Sequence, residues 1–532
     1  MTRSIRRTHN IKAGSARIIA RATMISMVGL TLSKITGFLR EILIIPKLGY
    51  GVYSDAYNVG FLIPDLLYEL LLGGAVAAAI MPTLSAGIER DRQKQAWESV
   101  NIFISIFMSA VVVIMGVIAI LMPWLIQIMN PNKDSQVISV AIPVSRILLL
   151  QCIVMMLVGL LNGVLNAYKH FGFPAFGSTI YNVVYMFALI KLGAPSDQNL
   201  RYVAYGVVGA ASVYLFYLLV LARRELVWLR LNFDYQHPGF RHLVRLALPT
   251  LLSGSVLNLN NIIMNSFANQ FVGAPTTLRQ ANTIWSLPYG VLAVAIGSVM
   301  LPNLTGFFAK RDFQQVRILY TDSLRKAVYY IAPFAIGFAF YNFQTVQAIF
   351  QWNSETYTDE QVAVTGHVLV WFCISMLAQT VVYLTNCAFF ARKVTRLALF
   401  IGVVSLVLNP LFCFIYVKTF DLGITGIAMA HASYSVISAM LLFALYKKHV
   451  PAARPYRIYP FAVRVVICAL VASVVSFALS MLGIRPSHKI VQLLVYAVQM
   501  SITIFAYYVT GIAIGMREAV KLQEKLLSII RR

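Results

Sequence analysis

Residues 81–95 read MPTLSAGIERDRQKQ, and residues 301–315 read LPNLTGFFAKRDFQQ. The two stretches lie 220 residues apart, and each leaves an apolar run, crosses a short charged loop and enters another apolar run. A shorter echo, GVVGAA at 206–211 and GITGIA at 423–428, has an offset of 217 residues. Two nearly equal offsets predict an internal repeat. Each unit holds six apolar runs, so the two matched basic loops face the same side of a membrane and the repeats run in parallel. Parallel repeats related by an axis along the membrane normal are an architecture of two-lobed transporters.

Around these loops the chain is apolar almost throughout. Of its 532 residues, 59% are hydrophobic and 12% charged, whereas a soluble domain has roughly 45–50% and about 25%. Runs of about 20 apolar residues, each able to cross ~30 Å of hydrocarbon, fall near 20–47, 56–85, 100–129, 138–166, 174–192, 202–221, 243–272, 277–305, 327–349, 361–390, 396–417, 423–446, 459–482 and 489–515. The sequence therefore predicts an all-α polytopic membrane protein of about fourteen transmembrane helices. It divides into a basic N-terminal arm (1–19), an N-lobe (20–221), a linker (222–242), a C-lobe (243–446), two additional helices (459–515) and a basic tail (516–532).

The net charge of +25 follows from this topology and requires no nucleic-acid partner. One alternate set of loops, with both tails, carries 31 of the 44 Lys and Arg residues. The opposite loops carry seven: Lys47, Lys133, Lys191, Arg201, Lys418, Arg485 and Lys489. The positive-inside rule places the basic set and both termini in the cytoplasm. The basic start of the chain superficially resembles a targeting presequence, but the apolar run behind it is too long for a signal-peptide core. The five cysteines lie scattered in apolar segments without metal or disulfide spacing, as small hydrophobes do.

Charges inside the apolar runs carry the functional information, because each costs roughly 2.5–3.5 kcal/mol at the bilayer centre on insertion scales. Span 1 contains SKITGFLRE at 33–41. Lys34 and Arg40 predict a cationic lining for an anionic head group, with Glu41 on the helix face of Lys34 and Gly37 between them as a possible bend. The bland alternative is an internal ion pair or cations reaching for the interfaces. Span 2 supplies Asp55, then Asp65 and Glu69 on one face after Pro64; these acids could balance the span 1 cations, gate them or hold a coupling cation. Gly73 and Gly74 mark either a hinge or close helix packing. In span 7, Asn258, Asn261, Asn265 and Asn269 form one stripe, suited to cargo hydroxyls, a cation or a neighbouring helix. Arg279, near the start of span 8, is a third candidate cation. No GxxxxGK[ST] phosphate loop, HExxH pattern or DDxxD acid cluster occurs, which argues against an intrinsic ATPase, a metal site and a membrane transferase.

Three blocks, SKITGFLRE at 33–41, SDAYNVGFLIPDLL at 54–67 followed by GGAVAAAIMP at 73–82, and QANTIWSLPYGVLAVAIGSVMLPNLT at 280–305, resemble the MurJ/MviN family of bacterial lipid II flippases. The resemblance implies an N-lobe, a C-lobe and two extra helices lining a groove for a long lipid tail. It also implies alternating access, with family arginines falling on Lys34 and Arg40 and family acids on Glu41 and Asp55. The chain departs from the family pattern at Tyr68, Glu69, Gly73 and Thr283, where many members carry charge.

The expected function is thus non-enzymatic transport of lipid II across the bacterial inner membrane, with no cofactor beyond a coupling ion (Na+ or H+) or the membrane potential. The expected partners are lipid II or a related polyprenyl-pyrophosphate glycan, membrane lipids and cell-wall synthesis proteins. Rival readings are an exporter of another polyprenyl-linked glycan, a cation-coupled drug antiporter, a membrane transferase and a non-transporting scaffold.

Overall fold

The computed structural model describes residues 28–72, 75–131, 133–168, 172–241, 263–392, 394–483 and 488–530, together with 25, 170, 243 and 244. Among the described residues there is helix but no strand, as expected where lipid offers the backbone no partner. Ten helices are long and apolar enough to cross a membrane, and they coincide with spans 3–6, 8 and 10–14 of the sequence reading. Spans 1, 2 and 9 are also helical, although charge or interruption sets them apart, and most of span 7 lies outside the described residues. Large apolar side chains such as Ile120, Trp124, Phe216, Val474 and Phe505 remain exposed on these helices, a surface that suits lipid rather than water.

The chain forms two compact units, Met1–Leu259 and Asn260–Arg532. In the first, α1 (28–42) leads into α2 (Val52–Leu72), α3 (Ala75–Glu89), α4 (Gln93–Met129), α5 (Ser135–Ala167), α6 (Gly177–Leu192) and α7 (Asp197–Leu221). Helix α5 is central, packing on α2, α3, α4 and α7, while α6 packs on α7. The segment after α7 lies back on α4: Asn101 Nδ2 donates to Trp228 O at 2.9 Å, and Asn232 N donates to Ser105 Oγ at 3.0 Å.

The second unit contains α8 (Ala274–Pro288), α9 (Ala295–Ala309), α10 (Phe313–Phe340), α11 (Asn342–Phe350), α12 (Asp359–Ala391), α13 (Thr395–Cys413), α14 (Gly423–His449), α15 (Ile458–Met481), α16 (Lys489–Ala513) and α17 (Arg517–Ile530). Here α12 is central, packing on α8, α9, α10 and α14, and α13 packs on α14. This is the pairing pattern of the first unit. The two additional helices, α15 and α16, pack on each other and on α10.

The repeat is visible down to single hydrogen bonds. At the end of α3, Arg92 N bonds to Gly87 O (2.8 Å) and Asp91 N to Ile88 O (3.3 Å); at the end of α9, Asp312 N bonds to Phe307 O (3.0 Å) and Arg311 N to Phe308 O (3.1 Å). These are matching Schellman turns, and both place a non-glycine residue at positive φ, Asp91 at 54° and Arg311 at 57°. The shorter echo has a different outcome. Gly206 lies within α7, where it meets the Ala188 methyl of α6, whereas Gly423 opens α14 at a φ of 56°. Those two glycines do different jobs, and the 217-residue offset does not mark equivalent positions.

Prolines inside α2 and α4 locate the packing of α5. Pro64 has no N–H for Gly60 O, and Ser145 Oγ donates to that carbonyl at 2.8 Å. Pro123 likewise leaves Ala119 O without its helical donor, and Arg146 Nε supplies one at 2.9 Å. Adjacent residues on α5 thus satisfy carbonyls that two prolines release. Arg146, a charge within an apolar run, is explained by this contact.

Candidate functional site

In the first unit the site is built on α1. Gly37 does not interrupt this helix, which remains helical on both sides of it. A Cβ at Gly37 would stand 3.4 Å from Asn182 Nδ2, an ordinary van der Waals contact, so Gly37 faces α6 at the position where a bend was expected. Lys34 is exposed on α1. Arg40, by contrast, is largely buried, its side chain 18% exposed.

Burying a guanidinium requires compensation, and three groups supply it. Arg40 Nη2 lies 2.6 Å from Glu41 Oε1; Nη1 donates to Asn182 Oδ1 at 3.1 Å; and the guanidinium carbon sits 4.9 Å from the centre of the Tyr185 ring. Adjacent residues on a helix do not normally face each other, but here α1 is ending, with Leu43 N turned back onto Arg40 O at 3.1 Å. Asn182 also donates to Ser33 O (3.1 Å) and Thr36 Oγ1 (3.4 Å), which ties α6 to α1 over two turns. Glu41 therefore balances Arg40, not Lys34 as their shared helix face suggested.

The acids of α2 separate into different settings. Asp55 is 1% exposed and pairs with Lys133 of the α4–α5 connection, 4% exposed, at 2.7 Å. This partner is a lysine of the α4–α5 connection rather than a span 1 cation, and the pair fastens two segments 78 residues apart. Asp65 is exposed on α2. The side chain of Glu69, and Gly73 and Gly74, lie outside the described residues.

In the second unit, Asn258 and Asn261 lie outside the described residues, Asn265 is half-buried and Asn269 buried. Asn269 N bonds to Asn265 O at 2.9 Å, so these two keep the helical spacing of the stripe. Arg279 is half-buried in the second turn of α8, and its carbonyl accepts from Thr283 Oγ1 at 2.8 Å. A π-helical turn, Tyr289–Val294, follows α8; under the 220-residue offset it spans the positions equivalent to 69–74.

Sequence reasoning missed Asn182 and Tyr185, since a lone Asn and a Tyr in an apolar run offer no spacing signal. It also passed over His431 of α14, whose Nδ1 lies 2.8 Å from Ser375 Oγ of α12 amid the rings of Trp285, Phe372 and Tyr434. An ionisable residue inside a span was the available clue. Chemically, the first unit offers an oriented guanidinium and, six residues earlier on α1, an exposed ammonium, each a donor type that phosphoryl oxygens accept from.

Residues 45–497 match the family described as lipid II flippase MurJ. The chain belongs to that family. The match begins just after α1, so the segment bearing Lys34 and Arg40 precedes the matched residues. Among relatives, the lipid II flippase MurJ of Burkholderia cenocepacia is 25% identical over 429 residues, 79% of this chain and 82% of that protein. A probable lipid II flippase MurJ of Rhizobium tropici is 24% identical over 432 residues, 80% of each chain. The fold is similar to that of a lipid II flippase MurJ in an inward closed conformation, with a TM-score of 0.75 at 16% identity over 92% of this chain and 98% of the other. An inward-facing multidrug resistance MATE family transporter of the MOP superfamily gives a TM-score of 0.64 at 14% identity, over 81% and 99% of the respective chains. The MurJ-family chain described here is thus a multi-pass membrane protein with a transporter fold.

Proposed function

We propose that this chain is a lipid II flippase of the bacterial inner membrane, carrying the undecaprenyl-pyrophosphate-linked peptidoglycan precursor from the inner to the outer leaflet without chemical change. Membership of the MurJ family supports the cargo class, and the geometry around Arg40 supports the means of recognition. Arg40 is held by Glu41, Asn182 and Tyr185 while Lys34 stands exposed on the same helix. The two cations receive the pyrophosphate, Asp65 tunes the local charge, and Arg279 and the Asn265–Asn269 stripe contact polar parts of the cargo in the second unit. Paired repeats supply the two halves that alternating access needs. Both termini lie in the cytoplasm by the positive-inside rule. The membrane potential or an ion gradient provides direction; one charge moving through 100 mV yields about 2.3 kcal/mol.

The test is lipid II translocation by purified protein in liposomes under an imposed potential or ion gradient. Wild type transports, and the folded double variant Lys34→Ala/Arg40→Ala does not. A folded wild type that moves another polyprenyl-linked glycan but never lipid II overturns the cargo assignment. Equal transport by wild type and the double variant overturns the role of the two cations.

A further inference from the structure

Arg40 rests on a platform of buried aromatic rings that its own helix does not provide. Tyr57 of α2 and Tyr185 of α6 are each 1% exposed, and their hydroxyls are hydrogen-bonded to each other across the two helices. Phe61 stands beside both, its ring centroid 4.7 Å from that of Tyr57 and 6.5 Å from that of Tyr185. Tyr181 packs edge-on against Tyr185 at 5.8 Å. Fixed from several sides, the Tyr185 ring presents its face to the Arg40 guanidinium, and Asn182, one turn earlier on α6, accepts from the same group.

Each element of this arrangement constrains Arg40 differently. Glu41 balances charge but sits on the same helix end as Arg40, so it sets no position relative to the rest of the unit. Asn182 and Tyr185, three residues apart on α6, lie on one helix face and fix Arg40 against a separate helix. The negative face of an aromatic ring attracts a guanidinium while making no demand on its N–H groups, so the ring holds Arg40 without occupying any donor beyond those already bonded to Glu41 and Asn182.

We propose that Tyr185, braced by Tyr57, is a positioning residue that pre-orients Arg40 for the cargo pyrophosphate, acting through its ring face rather than its hydroxyl. The inference rests on the reading above that Arg40 meets an anionic cargo. It accounts for two tyrosines placed back to back inside a lobe where aliphatic residues would otherwise suffice for packing.

The experiment measures lipid II binding to the full-length protein in nanodiscs, with thermal unfolding followed in parallel. Tyr185→Leu weakens binding about tenfold, the scale of one cation–π contact in a desolvated site. Tyr185→Phe, which keeps the ring, restores binding to within about threefold of wild type. Adding Tyr185→Leu to Arg40→Ala produces no further loss, because the ring acts through the guanidinium. A loss in Tyr185→Leu that persists at full size on the Arg40→Ala background overturns the proposal, as does equal loss in the Leu and Phe variants. If Arg40→Ala itself leaves binding unchanged, the reading of Arg40 has failed. If Arg40→Ala weakens binding and a folded Tyr185→Leu does not, only the positioning role has. Should Tyr185→Leu not fold, Tyr57→Leu removes the brace instead and must produce the smaller loss in the same direction.

Discussion

At the scale of residues, this protein repeatedly answers a buried polar atom with a partner from another helix. Pro64 releases the carbonyl of Gly60, and Ser145 takes it up at 2.8 Å. Ser145→Ala should lower the thermal unfolding temperature of the purified protein by the equivalent of about 0.6–2 kcal/mol, the range for a hydrogen bond within membrane bundles or a buried unsatisfied carbonyl. Adding Pro64→Ala should recover part of that loss by restoring the backbone donor; no recovery would show that Ser145 acts some other way. The Asp55–Lys133 pair carries more weight. Removing one member of a buried pair leaves an uncompensated charge, which costs about 3–5 kcal/mol. Asp55→Asn, which strands the buried Lys133 ammonium, should therefore destabilise strongly, whereas Lys191→Met, at an exposed lysine, should change little in the same melting assay. Equal effects would mean that the pair is not the fastening it resembles.

At the scale of elements, the two Schellman turns are equivalent in hydrogen bonding but not in residue type. A left-handed conformation costs a non-glycine residue roughly 1–2 kcal/mol, and Asp tolerates it better than most. Arg311→Gly should thus raise the unfolding temperature while Asp91→Gly raises it less, and the reverse order would refute this account. Elsewhere in the second unit, the C-terminal helix α17 is tied down by a buried ion pair. Arg325 Nε of α10 lies 2.9 Å from Glu518 Oε1, with side chains 9% and 5% exposed, and the guanidinium also covers the Phe461 ring of α15 at 5.0 Å. Tyr508 of α16 adds a hydrogen bond to Ala519 O at 3.2 Å. With Glu518→Ala the helix should loosen, and trypsin should cut at Lys521 about tenfold faster or more, because local opening governs cleavage. An unchanged cleavage rate would show that the pair does not hold α17.

At the scale of the whole molecule, topology is the testable property. All five cysteines are buried, so single introduced cysteines can be labelled against a low background. Lys418→Cys should react with an impermeant maleimide added to intact cells, and Lys448→Cys only after permeabilisation; the opposite pattern would invert the proposed orientation. The sequence by itself determined the positions of the apolar runs, the repeat at 81–95 and 301–315, and the excess of basic residues on alternate loops. Hydrophobic length and loop charge are sums over local windows, and a helix in lipid satisfies its backbone internally, so neither needs knowledge of neighbours. The sequence also supplied Arg40 and Asp55 as charges in need of partners. Only the tertiary structure decided which partners: Glu41, Asn182 and Tyr185 for Arg40, Lys133 for Asp55, and Arg146 for the carbonyl of Ala119. Those choices depend on how each helix is rotated about its axis and how deeply it packs, and residues 142 positions apart, such as Arg40 and Asn182, meet only once both are fixed.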